Sequence, residues 1–115
     1  MKRWKIDYYL TFSGHEPVRE FIDDLELKAK ARAYNTFELL AELGVNLKFP
    51  HAKKVTGTPL WELRILGDVS LRFFYVVKMG QSFLILHGFS KRKQKTPKNE
   101  IKTAMERLKD YKRRT

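Results

Sequence analysis

The 115-residue chain contains no cysteine, which removes disulfides, thiolate nucleophiles and thiolate metal ligands together. That absence agrees with a cytoplasmic protein. No apolar run approaches the roughly 20 residues needed to span a bilayer. The start, Met1-Lys2-Arg3-Trp4-Lys5, is basic but has no apolar stretch behind it, so neither a membrane contact nor a secretory signal is expected. The three histidines, His15, His51 and His87, stand far apart without paired-ligand spacing, which excludes the common metal motifs. Phosphate loops of the G-x-x-x-x-G-K-[ST] type, G-x-G-x-x-G and G-x-S-x-G are all missing, so nucleotide-driven and serine-hydrolase chemistry are disfavoured. No cofactor and no metal are implied.

Negative charge is also scarce, and unevenly so. Lys plus Arg number 24 against 13 Asp plus Glu, net +11. Up to Gly44 the chain carries 7 cations and 8 anions; beyond it stand 17 cations and 5 anions. The positive field therefore belongs to the second part of the chain, and such one-sided charge suits a polyanion such as RNA, DNA or an acidic protein segment. The alternative is a solvated surface kept basic for solubility. At this length, with 43% hydrophobic residues, residues 1–115 are expected to form a single domain around one core.

What is present reads as alternating local patterns. Trp4 to Phe12 is a strand-like aromatic run. Pro17 suits the first turn of a helix, and Val18, Phe21, Ile22 and Leu25 supply its apolar stripe. A second helix is predicted from about Lys28 to Leu43, with Ala33, Phe37, Leu40 and Ala41 inward and Gly44 as its stop. The two helices read as an antiparallel pair covering one side of a sheet. Val45 to Pro59 is irregular. In Leu60 to Leu66, Trp61, Leu63 and Ile65 alternate with Glu62 and Arg64, a strand with one buried and one wet face. Gly67-Asp68 turns into Leu71 to Lys78, and Met79 to Ser82 turns into Phe83 to Phe89. Thr96 as N-cap and Pro97 as first helical residue open a last helix striped by Ile101, Ala104, Met105, Leu108 and Tyr111. The order β-α-α-β-β-β-α predicts an α+β domain with an antiparallel or mixed sheet of about four strands.

Chemistry converges on the last two strands and their exit. Arg64, Arg72 and His87 lie on the sheet, and Lys91-Arg92-Lys93-Gln94-Lys95 follows it. Such a set suits phosphodiester cleavage without metal. RNA supplies its own nucleophile, the 2′-hydroxyl, so a protein needs only to align the backbone, neutralise charge on the phosphate and move two protons. Guanidinium groups bind phosphate bidentately, and a lysine crowded by cations has a lowered pKa. Each residue also has a plain reading. Arg72 could pair with Glu62 across the hairpin, Arg64 could be surface charge, and Lys91, Arg92 and Lys93 could be merely solvated. His87, placed on the face of Phe83, Ile85 and Phe89, could be a satisfied core histidine. Tyr75 is expected to pack, its hydroxyl close to the site, and Trp61 to be core.

The segments Leu60-Trp61-Glu62-Leu63-Arg64-Ile65, Leu71-Arg72-Phe73-Phe74-Tyr75, Leu86-His87-Gly88-Phe89-Ser90-Lys91-Arg92-Lys93-Gln94-Lys95-Thr96-Pro97 and Glu100-Ile101…Ala104 together resemble the RelE/HigB-type toxins of type II toxin-antitoxin systems, in the phage-derived branch of the RelE/ParE superfamily. The resemblance covers nearly the whole chain. It implies a RelE-like fold and a ribosome-dependent mRNA endonuclease acting on the 70S ribosome. It also implies a cognate antitoxin, HigA-like and of helix-turn-helix type, through which the pair reaches operator DNA. By position it implies that Arg72 contacts the scissile phosphate and that Arg64, Lys53 and Lys54 line the substrate groove. Lys91, Arg92, Lys93 and Lys95 would form the basic cluster, with Lys91 and Lys93 in catalytic roles. Relatives place a tyrosine or histidine near the last helix as acid or base. Gln94 to Glu100 holds neither, leaving His87 or a lysine of lowered pKa. Two other readings stand beside this one: a ParE-like gyrase inhibitor without nuclease activity, and a basic nucleic-acid-binding module without toxicity.

Overall fold

In the computed structural model, which describes residues 3–48, 50–91 and 97–115, the chain folds as a mixed five-stranded sheet with helices on both faces. The elements are β1 (Lys5–Tyr8), α1 (Pro17–Asp23), α2 (Leu27–Leu43), a single 3₁₀ turn (Gly44–Asn46), β2 (Ala52–Lys54), β3 (Trp61–Ile65), β4 (Ser70–Lys78), β5 (Ser82–Lys91) and α3 (Lys98–Arg114). The strand order is β1-β5-β4-β3-β2. β1 runs parallel to β5, and every other neighbouring pair is antiparallel. This is the α+β, RelE-like architecture that the sequence predicts, with one strand more. β2 falls inside the stretch read as irregular. With three residues it is too short to show a period.

Burial on both faces explains the sequence pattern. Val18, Ile22, Ala33, Phe37 and Leu40 of α1 and α2 pack against Leu63, Leu71, Phe73, Tyr75, Phe83 and Ile85 of the sheet. On the opposite face Ala104 and Leu108 of α3 pack with Tyr9, Phe74, Val76, Leu84, Leu86 and Phe89. β4 and β5 are therefore apolar almost throughout, as strands covered on two sides are. The expected wet face of β3 is not wet: Glu62 is buried and Arg64 half-buried. The first strand is also shorter than predicted. The strand ends at Tyr8, with Tyr9 N–H still donating to Ile85 O at 2.9 Å and the Tyr9 hydroxyl donating to the Asp110 carboxylate of α3 at 2.5 Å.

Gly44 ends α2 at φ +57°, its N–H donating to Leu40 O. The left-handed conformation favours glycine, and so does the space, because a Cβ there would meet the Trp4 indole at 2.2 Å. Trp4 in turn stacks on Phe83, ring centroids 4.6 Å apart. α3 begins one residue later than expected, with Pro97 just outside it at φ −63°, ψ 138°. Thr96 lies outside the described residues. No helix among them is long and apolar enough to cross a membrane.

Candidate nucleic-acid interface

Strand register decides which polar side chains meet. Lys53 is opposite Glu62, Glu62 opposite Phe74, and Arg64 opposite Arg72. Phe74 is opposite His87, Arg72 opposite Phe89 and Ser70 opposite Lys91. Directly paired residues point to the same side, so Lys53, Glu62, Arg64, Arg72, His87 and Lys91 all face the α3 side of the sheet.

Two arginines directly opposite each other should repel. Glu62 resolves the conflict: its Oε1 lies 3.6 Å from Arg72 Nε and 3.8 Å from Arg64 Nε. Glu62 is 5% exposed and Arg72 4%. Arg72 also donates to Leu71 O at 3.0 Å, and among the described residues its buried Nε has no hydrogen-bond partner. Burial lowers the pKa of Arg72, Arg64 lowers it further, and Glu62 opposes both. Lys91 belongs to the same electrostatic group. Burial depresses its pKa, Glu62 opposes, and Arg72, Arg64 and Lys53 push it lower still. The arrangement is a nearly dry patch of fixed positive charge around one carboxylate, and such a patch binds an anion more strongly than exposed cations do.

His87 reaches this face by a route that alternation does not predict. Phe74 pairs with His87 but Tyr75 pairs with Ile85, so Leu86 is an extra residue, a β-bulge that shifts parity. His87 and Phe89 consequently lie opposite to Phe83 and Ile85, not beside them. The ring lies near-parallel to those of Phe74 and Phe89. Arg107 approaches Nδ1 at 3.2 Å and also donates to Leu86 O at 2.9 Å. A guanidinium can only donate, so Nδ1 accepts, and Nε2–H donates to Glu100 Oε1 at 2.9 Å. Burial lowers the His87 pKa, the Glu100 hydrogen bond opposes, and Arg107 adds to the lowering. His87 is thus a neutral imidazole with both nitrogens engaged, tying α3 to the sheet.

The remaining predicted residues separate. Lys54, one residue from Lys53, is on the other face: its Nζ donates to Thr58 O and sits 5.9 Å from the Trp61 ring centre. Tyr75 also faces away from Arg72, packed edge-on against Phe83 at 5.3 Å, its phenol pushed up to about 12 by burial. Arg92, Lys93 and Lys95 lie outside the described residues. Arg107 is a functional-site neighbour that the sequence reading passed over, and Glu62 entered that reading only as a partner for Arg72 across the hairpin, not as a carboxylate shared with Arg64. Glu62 could have been found as an acid two residues from Arg64, hence on its face of the strand. Arg107 carries no such signal, since only the bulge brings His87 to it. Among the described residues no group of three or more His, Cys, Asp or Glu could hold a metal ion.

Beside α3, a groove of about 600 Å³ is lined by Trp61, Val76, Val77, Met79, Leu108 and Tyr111, with Lys54, Lys78 and Lys112. It is apolar where the Arg72 patch is charged.

Comparison with known proteins agrees with this architecture. No curated protein matches the chain. The family described as phage derived protein Gp49-like (DUF891) matches residues 20–109, from within α1 to near the end of α3. That family is RelE-like and toxin-like in character. With the match spanning β2 to β5, Arg64, Arg72, all of α2 and most of α3, the chain belongs to the Gp49-like family of phage-derived proteins.

Proposed function

We propose that this protein is the toxin of a type II toxin-antitoxin pair, of RelE/HigB type, and that it cleaves mRNA on the ribosome by metal-independent transesterification. The observation that carries the reading is the convergence of Arg64, Arg72 and Lys91 on one side of the sheet around Glu62. In this reaction the RNA 2′-oxygen attacks the adjacent phosphorus, a bond from phosphorus to O2′ forms, and the bond to O5′ breaks. The products are a 2′,3′-cyclic phosphate and a 5′-hydroxyl. One proton leaves the 2′-hydroxyl and one arrives at the 5′-oxygen.

Arg72 and Arg64 contact the non-bridging oxygens and stabilise the charge that builds on them. Lys91, whose proton is loosened by burial and by neighbouring cations, accepts the 2′-hydroxyl proton, and Lys93 of the following basic run delivers the second. Glu62 is a positioning residue that holds the two guanidiniums side by side. His87 positions α3 through Glu100 and Arg107. Lys53, Arg92 and Lys95 hold the backbone on either side. The partner is a cognate antitoxin of helix-turn-helix type, and the pair binds operator DNA through it. The apolar groove beside α3, with its lysines, suits an acidic amphipathic segment of that partner.

Inducible expression tests the proposal. Rapid arrest of translation with new mRNA 5′ ends inside reading frames is expected, and both should vanish in Arg72→Ala. DNA-damage signalling with intact mRNA would replace this reading with that of a ParE-like gyrase inhibitor.

A further inference from the structure

Arg32 of α2 is a cation that the fold positions without neutralising. Its guanidinium lies flat against the β3–β4 turn: a Cβ at Gly67 would stand 2.5 Å from Cζ, 2.6 Å from Nη2 and 2.8 Å from Nε of Arg32. The Nε atom is buried and, among the described residues, has no hydrogen-bond partner. Among the described residues no carboxylate forms an ion pair with it. Nearly every buried polar group in a folded protein is satisfied, so an orphaned guanidinium N–H asks for an acceptor from outside.

The surroundings say which acceptor. Arg32 lines a cavity of about 270 Å³ together with Asn35, His51 and Arg64. Among the described residues no aspartate or glutamate lines it. A hollow offering arginine, amide and imidazole donors and no carboxylate selects an oxyanion, and a planar guanidinium pinned in place favours one with two oxygens to share, as phosphate has. Arg64 borders this cavity and also stands opposite Arg72 in the patch on the sheet. The two anion sites therefore adjoin through one residue, as a polymer of phosphates requires and a lone phosphate ion does not.

We propose that the Arg32 cavity holds a second backbone phosphate of the RNA whose scissile phosphate is held at Arg72; this rests on the reading given above. Gly67 is part of the device, because only a residue without a side chain lets Arg32 lie where it does.

The test is binding of fluorescently labelled protein to mRNA-programmed 70S ribosomes, followed by anisotropy across a salt series, with single-turnover cleavage of that mRNA measured in parallel. Arg32→Gln is expected to weaken binding several-fold and to lower the slope of log K against log salt by about 0.7, the value for one single-strand phosphate contact. Gly67→Ala keeps the charge but displaces the guanidinium. It should weaken binding in the same direction, with circular dichroism and melting close to wild type. The loss should fall on KM rather than kcat in both. Wild-type protein that binds and cuts RNA while both variants retain its slope and affinity overturns this inference alone. Wild-type protein that neither binds nor cuts the ribosome-bound mRNA overturns it together with the function it rests on. An Arg32 Nε–H resonance that moves with inorganic phosphate but not with RNA also overturns it, showing a free-anion site instead.

Discussion

Glu62 is the residue on which the charged patch turns. A buried carboxylate between two guanidiniums offsets their repulsion, and removing one member of such a buried set leaves uncompensated charge. Glu62→Gln is therefore expected to cost about 3 kcal/mol of stability, measured by urea unfolding. Arg72→Ala should cost a comparable or smaller amount while abolishing RNA cleavage. Because the residues share one interaction, the Glu62→Gln, Arg72→Ala double variant should lose less than the sum of the two. Additive losses would show that the pairing is not energetically coupled. Lys91 makes a kinetic prediction. Its pKa is lowered, and a base must be deprotonated to act, so cleavage should rise with pH and level off below the range of an ordinary lysine. Lys91→Arg keeps the charge but raises the proton affinity, so the rising limb should move to higher pH. An unchanged profile would assign proton transfer elsewhere. His87 predicts an equilibrium effect of the opposite origin. Its folded-state pKa is below the usual 6.5, so the unfolded chain binds the proton first. Its contribution is complete above about pH 6.5 and is lost as pH falls from there towards the folded value. Urea midpoints on either side of that window should differ in wild type, and the difference should shrink in His87→Gln.

At the scale of elements, β5 carries the most information per residue. Its bulge places His87 under α3, and Gly88 then passes over the other core. A Cβ at Gly88 would sit 2.5 Å from Phe73 Cε1 and 3.0 Å from Phe21 Cδ2. Phe73 is fully buried and cannot swing aside, so Gly88→Ala should destabilise the protein by about 1–3 kcal/mol, read as a lowered melting temperature. This strand also marks how far sequence could be read. The helices α1, α2 and α3 were legible from their apolar spacing, β3 from its alternation, and β4 and β5 from continuous apolar runs bounded by turns. The side on which His87 falls was not, since one extra residue inverts a period of two and leaves no compositional trace. The pairing of Arg72 with Glu62 could be posed from the hairpin, but that one carboxylate serves Arg64 as well depends on register. β3 looked half-wet because Glu62 and Arg64 are charged; tertiary pairing buried them together.

The molecule as a whole carries net +11, concentrated beyond Gly44, and its groove beside α3 is apolar. The function proposed above thereby separates its two partners in space: a polyanion on the arginine and lysine patch, and a peptide with apolar anchors beside α3. RNA affinity should fall steeply with salt, whereas binding of an antitoxin segment through apolar anchors should fall less. Titrating both across the same salt series checks the division.

β1 is held to the sheet only by β5: Lys5 meets Ser82 and Tyr8 meets Ile85, in parallel. During synthesis β1 must therefore wait, unpaired, until β5 has left the ribosome. Until then Trp4 has no Phe83 to stack on, and Gly44 has no settled indole above it. Between the synthesis of β1 and that of β5 a binder of the unpaired strand could therefore intercept the chain before the sheet closes.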